Sequence, residues 1–372
     1  MTGSACVALA VSALLAVACA GLSSDPPNAS SQASPAAPPS AAASGSPSDT
    51  TSASASASAS PVQGPVDSLS KQKLLADITK LAAPEWRGRG SGTPDEAAAA
   101  AWLGAALDDL RAERLGERVQ QFKFAKESSQ NVVGVIAKDP AVKPSRDTQF
   151  VVLGAHYDHL GVKGESTYLG AEDNASGTAV VLGVARALML RRAELVRPVL
   201  ILFFGAEERG MKGSRHYVKT FSKDNGSFHS MINIDMIGRP LVDDPKLWFG
   251  ASLLGILPEV DPSEAVGVLL SKAPPAWLAS LVKDSAKTQA ILPVFPEDLP
   301  ESLRKLVLSM AEGRSDHAPF EDAGVPAVFF SSGESPDYHQ PTDTIDRLDG
   351  TLLEKRARVV LDLVLKLSQK PD

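Results

Sequence analysis

Residues 198–208 read PVLILFFGAEE, an apolar block that ends in glycine, alanine and two adjacent glutamates. The apolar run over residues 198–204 predicts a buried strand. Similar blocks predict further strands at residues 131–137, 150–155, 231–236 and 327–331. Amphipathic stretches between and around them predict helices at residues 71–81, 94–110, 177–191, 275–285 and 352–367. This alternation indicates an α/β fold with a central sheet flanked by helices.

Five short segments carry side chains that can bind metals or transfer protons. They are GAHYDHLG (154–161), GAEDNASG (170–177), FGAEERG (204–210), INIDMIG (232–238) and YHQPTDT (338–344). Most of them lie at the ends of predicted strands, the edge at which open α/β sheets bind their ligands. Together they supply five nitrogen and oxygen donors that suit two zinc ions sharing one carboxylate: His156, Asp173, Glu208, Asp235 and His339. The pattern therefore indicates a two-metal hydrolase.

The position of each residue in its segment suggests its role. Asp158 lies two residues after His156 and so points to the same side of an extended chain. Its carboxylate could accept the other ring N–H of His156 or otherwise orient the metal shell. Asp173 directly precedes a predicted helix, and one oxygen for each ion would hold two zincs about 3.5–4 Å apart. A structural helix N-cap is the alternative interpretation of Asp173.

Adjacent carboxylates such as Glu207 and Glu208 repel each other unless a cation or a proton lies between them. We assign Glu208 to a metal and Glu207 to proton transfer. Asp235 interrupts an apolar strand, where a carboxylate is costly unless it is paired or metal-bound. Asp343, four residues after His339, is a candidate to hydrogen-bond the ring of that histidine. Further candidates to support the metal ligands are His159, Asp316 and His317.

The first 65 residues have a different composition from the rest of the chain. Residues 1–20, MTGSACVALAVSALLAVACA, form a short apolar run that ends in small residues, and this predicts a signal peptide over residues 1–18. The residues before Cys19 resemble the cleavage site of bacterial lipoproteins, in which the cysteine becomes lipidated. Ordinary secretion is the alternative. Residues 19–65 are rich in Ser, Ala and Pro, which predicts a disordered tether.

Residues 66–372 are predicted to form the catalytic domain. Within it, residues 240–313 are interpreted as an excursion over the rim of the site, with a helix pair packed on the sheet as the alternative. Both cysteines, Cys6 and Cys19, lie in the signal region, so the mature domain is expected to have no disulfide. The net charge of −7 argues against a nucleic-acid partner. No obligate protein partner is evident, and membrane contact is expected only through a lipid on Cys19.

In their order and spacing, the five segments resemble the co-catalytic zinc aminopeptidase family, which includes bacterial leucyl aminopeptidases and the catalytic domain of glutamate carboxypeptidase II. The resemblance covers nearly all of residues 66–372, including EWRGRGSGTP at residues 85–94. It implies a mixed, mostly parallel sheet of about eight strands between helices. It also implies a cis peptide bond after Asp173.

The resemblance implies a role for each site residue. Glu207 would be the general base and acid, and Asp158 would orient His156. One zinc would be held by His156, Asp173 and Asp235, and the other by Asp173, Glu208 and His339.

The free α-amine of a peptide's N-terminal residue would bind beside one zinc, which favours an aminopeptidase that removes N-terminal residues from peptides. A di-zinc carboxypeptidase or an N-acyl amino-acid amidohydrolase would use the same metal site. A non-catalytic ectodomain and a one-zinc glutaminyl cyclase are the remaining alternatives on this fold.

Overall fold

The computed structural model describes residues 67–240, 266–270, 274–286, 291–294 and 315–369. The predicted signal peptide and the whole of the predicted tether lie outside these residues, as does most of the segment 240–313. The expectations for the signal peptide and the tether therefore stay predictions. No helix within the described ranges is both long enough and apolar enough to cross a membrane.

A mixed sheet forms the centre of the fold. Its strands are β1 (Val119–Phe124), β2 (Glu127–Ile136), β3 (Gln149–His156), β6 (Val199–Phe204), β7 (Ser227–Ile234), β8 (Val266–Leu270), β9 (Ile291–Val294) and β10 (Ala327–Ser331). They are arranged in the order β1-β2-β6-β3-β7-β10-β8-β9. The pairs β6–β3, β3–β7, β7–β10 and β8–β9 are parallel, and the other three are antiparallel. This confirms the mixed, mostly parallel sheet of about eight strands.

Helices cover the sheet, and a small hairpin of β4 (Gly161–Lys163) and β5 (Ser166–Tyr168) stands apart from it. The helices are α1 (Lys71–Leu81), α2 (Pro94–Asp109), α3 (Gly177–Leu190), α4 (Lys212–Thr220), α5 (Ala276–Ala286), α6 (Ala318–Asp322) and α7 (Gly350–Gln369). Of these, α1, α3 and α7 pack on one another. The α/β prediction is confirmed.

Strand β6 shows why the sheet lies between two layers. Its alternate residues Val199, Ile201 and Phe203 belong to the larger apolar core, which also contains residues of α1, α2, α3 and α7. The residues between them, Leu200, Leu202 and Phe204, belong to a second core that includes Tyr217 of α4 and Phe320 of α6. Burial of each such side chain stabilises the fold by about 1.5–3 kcal/mol. An apolar run without polar alternation is therefore what this position in the sheet requires.

Several elements differ from the sequence-based expectations. The edge strand β1, with the sequence VQQFKF, alternates too weakly to stand out as a strand. Helices α4 and α6 were not predicted either. Within residues 240–313, the described parts include β8 and β9, which extend the central sheet beyond β10. Helix α5 lies close to the helix predicted at residues 275–285. Most of the segment lies outside the described residues, so its interpretation as a rim excursion or as a helix pair stays a prediction.

Candidate metal centre and active site

The predicted donors meet at the C-terminal edge of the parallel strands. His156 is the last residue of β3, Asp235 directly follows β7, and Glu208 lies four residues after the end of β6. Asp173 belongs to the short turn of helix that leads into α3. The peptide bond between Asp173 and Asn174 is cis, as the resemblance implied.

The first donor cluster contains His156, Asp173 and Asp235. The Nε2 atom of His156 lies 3.2 Å from Asp235 Oδ1 and 3.4 Å from Asp173 Oδ1. Zinc binds nitrogen and oxygen at about 2.0–2.2 Å in tetrahedral geometry, which places neighbouring ligand atoms roughly 3.3 Å apart. All three residues are buried. The spacing of these atoms therefore fits one zinc ion.

The second donor cluster uses the other oxygen of Asp173. His339 Nε2 lies 3.3 Å from Asp173 Oδ2 and 3.2 Å from Glu208 Oε2. These distances also fit a tetrahedral shell. Asp173 thus offers one carboxylate oxygen to each cluster, which is the geometry of a bridging ligand. His159, which is fully buried, approaches the same cluster from another side, with Nδ1 2.9 Å from Glu208 Oε1.

The carboxylates of the two clusters are stabilised by nearby positive charge. Burial acts to raise the pKa of Asp173, but the adjacent imidazoles outweigh it and the pKa is lowered. Burial acts to lower the pKa of His339, but Asp173 and Glu208 raise it to about 10. The carboxylates are thus stabilised in their charged form by whatever positive charge lies beside them. A bound metal ion would supply that charge more directly.

Glu207 directly precedes Glu208 in the chain but belongs to neither set of donors. Burial raises the pKa of Glu207 well above its ordinary value, an effect that nearby carboxylates reinforce and the imidazole of His156 opposes. A raised pKa suits a carboxyl group that must both accept and release a proton. The assignment of Glu207 to proton transfer is therefore compatible with its surroundings.

The contacts of Asp158 differ from those predicted. Its carboxylate Oδ1 lies 3.8 Å from His156 Nδ1, whereas its backbone oxygen lies 3.2 Å from that nitrogen. The carboxylate instead accepts hydrogen bonds from the backbone N–H groups of Glu207 at 3.0 Å and Glu208 at 3.3 Å, and from the Ser91 hydroxyl at 2.6 Å. Asp158 orients His156 through its backbone, and its side chain holds the loop that carries the two glutamates.

Asp343 also has a different partner from the one expected. Its carboxylate accepts the backbone N–H groups of Glu172 at 2.8 Å and of Asp173 at 3.0 Å, which fixes the bridging residue rather than the ring of His339. The His339 ring instead stacks on Tyr338, with ring centroids 3.9 Å apart.

The two remaining candidates near the site are Asp316 and His317. Asp316 accepts a hydrogen bond from Ser214, and burial raises its pKa to about 7. The ring of His317 stacks on Phe329.

Glu96 is a supporting residue that the sequence reasoning missed. Its carboxylate accepts hydrogen bonds from the Ser129 hydroxyl and from the backbone N–H groups of Gly92 and Ala206. Burial raises the pKa of Glu96 to about 8. The Thr93-Pro-Asp-Glu96 sequence has the pattern of a helix capping box, but its glutamate reaches across to the loop before Glu207. The capping pattern could have drawn attention to Glu96 without revealing this contact.

Two further contacts hold the loop after β7. Ser315 donates to Asp235 Oδ2 at 2.6 Å, so the oxygen opposite the first donor cluster is satisfied. Glu172 accepts the backbone N–H groups of Gly238 and Arg239. Neither residue stands out in the sequence, because both contacts join segments far apart in the chain.

Three non-glycine residues at the site have left-handed backbones. They are Ala206, with φ of 52°, Met236, with φ of 58°, and His339, with φ of 56°. Each lies in, or next to, a segment that supplies a donor or the proposed base. Such conformations cost on the order of 1–3 kcal/mol each and persist only where the surrounding structure enforces them.

The mixed α/β sheet thus carries, at the C-terminal edge of its parallel strands, two donor clusters that are joined by one aspartate, which is the arrangement of a two-metal site. The chain belongs to peptidase family M28, whose family model matches residues 131–246 and 283–364. These ranges include every residue of both donor clusters. The resemblance to the co-catalytic zinc aminopeptidase family is thereby confirmed.

Individual proteins resemble the chain over most of its length. The aminopeptidase YwaD of Bacillus subtilis is 29% identical over 255 residues, which cover 66% of this chain and 46% of that protein. A probable leucine aminopeptidase of Trichophyton verrucosum is 26% identical and is covered to 67%. The chain therefore spans about half the length of the first of these relatives and two thirds of the second. The LapA aminopeptidase of Legionella pneumophila shares the fold, with a TM-score of 0.61 at 18% identity over 82% of this chain and 72% of that one.

Proposed function

We propose that this protein is a zinc-dependent aminopeptidase that removes residues from the N-terminus of peptides. The observation that carries the proposal is the division of the Asp173 carboxylate between two donor clusters, with Oδ1 facing one and Oδ2 the other. A site of this kind holds two metal ions close together. The names of the Bacillus and Trichophyton relatives, both aminopeptidases, support the choice of reaction.

The donor atoms divide between the two ions as follows. One zinc would be held by His156 Nε2, Asp173 Oδ1 and Asp235 Oδ1, and the other by His339 Nε2, Asp173 Oδ2 and Glu208 Oε2. When bound, a pair of zinc ions lowers the pKa of a water molecule and polarises the carbonyl group of the substrate. Three protein donors for each ion leave room for water and substrate.

The chain's own residues would then move the proton. Glu207 would take a proton from the attacking water and return it to the amine that leaves. The Asp158 carboxylate would hold Glu207 and Glu208 in position, because it accepts the backbone N–H groups of both. Asp343 would hold the backbone at Asp173. The base Glu207, the ligand Glu208 and the bridging ligand Asp173 are thus each held in place through their backbone N–H groups.

The substrate class is tested by assaying the full-length protein on four kinds of substrate. We expect hydrolysis of aminoacyl anilides and of peptides with a free N-terminus, and no hydrolysis of N-acyl amino acids or of peptides with an acetylated N-terminus. A di-zinc carboxypeptidase would instead cleave the acetylated peptides at their other end, and an amidohydrolase would cleave the N-acyl amino acids. Cyclisation of N-terminal glutamine without peptide hydrolysis would identify a glutaminyl cyclase.

The proposal predicts two zinc ions in each chain. Metal analysis of the purified protein is expected to give a stoichiometry of two, because two clusters of three donors share one bridging carboxylate. Dialysis against a chelator should abolish activity, and added zinc should restore it. A stoichiometry of one together with full activity would contradict the two-metal interpretation.

We propose further that the protein is exported and anchored in the cell envelope through a lipid on Cys19. The wild-type protein is then expected to take up labelled fatty acid and to fractionate with membranes, and Cys19→Ala should do neither. More than one acyl chain gives stable attachment, at about 0.8 kcal/mol per buried CH₂. Cys6→Ala, which changes the other cysteine of the same region, should behave as the wild type. Recovery of an unmodified, wholly soluble wild-type protein would favour plain secretion.

A further inference from the structure

His159 contacts the second donor cluster without belonging to the set of ligands proposed above. Its Nδ1 atom lies 2.9 Å from Glu208 Oε1 and 3.6 Å from Asp173 Oδ2. The opposite oxygen of the same glutamate, Oε2, faces His339. The two oxygens of Glu208 therefore have two different histidine neighbours, His159 at Oε1 and His339 at Oε2.

The ring of His159 is held in place from two sides. Its backbone N–H donates to the carbonyl oxygen of Arg89 at 3.2 Å, which ties the residue to the segment before α2. A Cβ atom at Gly170 would lie only 2.5 Å from two carbons of the His159 ring. Gly170 has a φ of 61° and no side chain, so it lets the ring pack against the backbone that leads to Asp173. The ring is thus fully buried and closely confined.

The distances indicate that His159 Nδ1 is a hydrogen-bond donor, whereas His339 Nε2 is placed as a metal ligand. The 2.9 Å between His159 Nδ1 and Glu208 Oε1 is the usual length of an N–H···O hydrogen bond. It is shorter than the separation of roughly 3.3 Å expected for two atoms bound to one zinc ion. By contrast, the 3.2 and 3.3 Å distances from His339 Nε2 to Glu208 and Asp173 match that separation.

The surroundings of the second ring nitrogen of His159, Nε2, also indicate that this histidine is not a metal ligand. A histidine that binds a metal almost always donates its other ring N–H to a partner, and His156 does so towards the backbone oxygen of Asp158. The Nε2 atom of His159 is buried and has no hydrogen-bond partner among the described residues. A lone pair on Nδ1 would also face two carboxylate oxygens and be repelled by them. The proton therefore belongs on Nδ1.

We propose that His159 is a positioning residue for Glu208, and that its Nδ1–H holds Oε1 so that Oε2 is left to bind the second metal. The inference rests on the proposed two-zinc function. In this arrangement Glu208 binds with one oxygen only. The contact fixes the orientation of a ligand carboxylate, and the loss of such a contact lowers metal affinity by about 10–100-fold.

The test compares two substitutions in the full-length protein. In His159→Asn the amide nitrogen lies near the position of Nδ1 and can donate to Glu208, but it provides no imidazole ligand. In His159→Leu the donor is absent. Zinc is titrated into each metal-free protein against a competing chelator, and cobalt absorption spectra report the geometry of each site. His216→Leu is the matched control, because His216 lies on α4 and stacks on Phe122.

We expect His159→Leu to bind the first zinc as the wild type does and the second about 10–100-fold more weakly. His159→Asn should recover most of the second affinity, and His216→Leu should match the wild type. If Asn and Leu weaken the second site equally, His159 is a ligand, and if Leu leaves both affinities unchanged, the contact positions nothing. Either outcome overturns the inference. A wild type that binds fewer than two zinc ions overturns the proposed function itself. Should the Leu variant fail to fold, His159→Phe gives the same comparison.

Discussion

Replacing Glu207 with glutamine is expected to lower kcat by roughly 10²–10⁴-fold, because the variant keeps the shape of the side chain but loses the proton acceptor. Zinc content should remain at two, because Glu207 is not one of the donors. The main-chain N–H of residue 207 also still reaches Asp158, so the loop should keep its position. Steady-state kinetics on an aminoacyl anilide, together with metal analysis of the same sample, measures both quantities.

Two matched variants define what the Glu207 result means. Glu165→Gln changes an exposed glutamate between β4 and β5 and should leave kcat unchanged. Glu208→Gln should lose zinc from the second cluster, since its Oε2 is a donor there. If Glu207→Gln stays active while Glu208→Gln is inactive with both zinc ions retained, the two glutamates have the opposite roles.

The second large effect is expected at Arg89, a fully buried arginine beneath the site. Its guanidinium donates to the backbone oxygens of Tyr157, Leu81, Leu169 and Gly170 at 2.6–3.0 Å. Arg89→Met would leave these carbonyl groups without a donor in the interior, at a cost of about 1–3 kcal/mol for each unsatisfied group. We therefore expect the free energy of unfolding to fall by several kcal/mol in total, as measured by urea denaturation.

Arg87→Met is the control for that measurement. Arg87 lies two residues away and pairs with Asp95 at 2.7 Å, but its side chain is 61% exposed. An exposed ion pair contributes about 0–1 kcal/mol, so this variant should unfold close to the wild type. Equal stabilities for the two variants would show that the four carbonyl contacts of Arg89 do not support the fold.

Three ligands, His156, Glu208 and Asp235, could be predicted from the sequence because each lies in a compact segment at or shortly after the end of a strand. His156 and Asp235 stand out since their neighbours are strongly apolar, and a buried polar side chain there needs a partner. In the structure the C-terminal ends of the neighbouring parallel strands β6, β3 and β7 lie side by side, which brings these donors together. The sequence predicted the strands but not their order, and the division of the ligands between two ions came from the family resemblance.

The supporting contacts could not be predicted in the same way. The Asp158 carboxylate reaches backbone N–H groups 49 and 50 residues away, and Asp343 reaches across 170 residues to Asp173. A main-chain N–H carries no signature in the sequence, so the partner of a carboxylate that binds one cannot be read from residue types. The proximity rule that pairs Asp158 with His156 gave the correct neighbour but the wrong acceptor atom.

The left-handed backbones at Ala206, Met236 and His339 have a consequence for efforts to make the protein more heat-resistant. Glycine adopts this conformation without steric cost, so Ala206→Gly would remove local strain from the folded state. Met236→Gly would also delete a buried apolar side chain, and that loss of about 2–5 kcal/mol outweighs the strain. Ala206→Gly would loosen the peptide beside Glu207, and activity at such sites is commonly exchanged for stability. Variants selected for survival at high temperature alone would therefore favour glycine at residue 206 and lose turnover, whereas a screen that also demands peptide cleavage would keep the strained alanine.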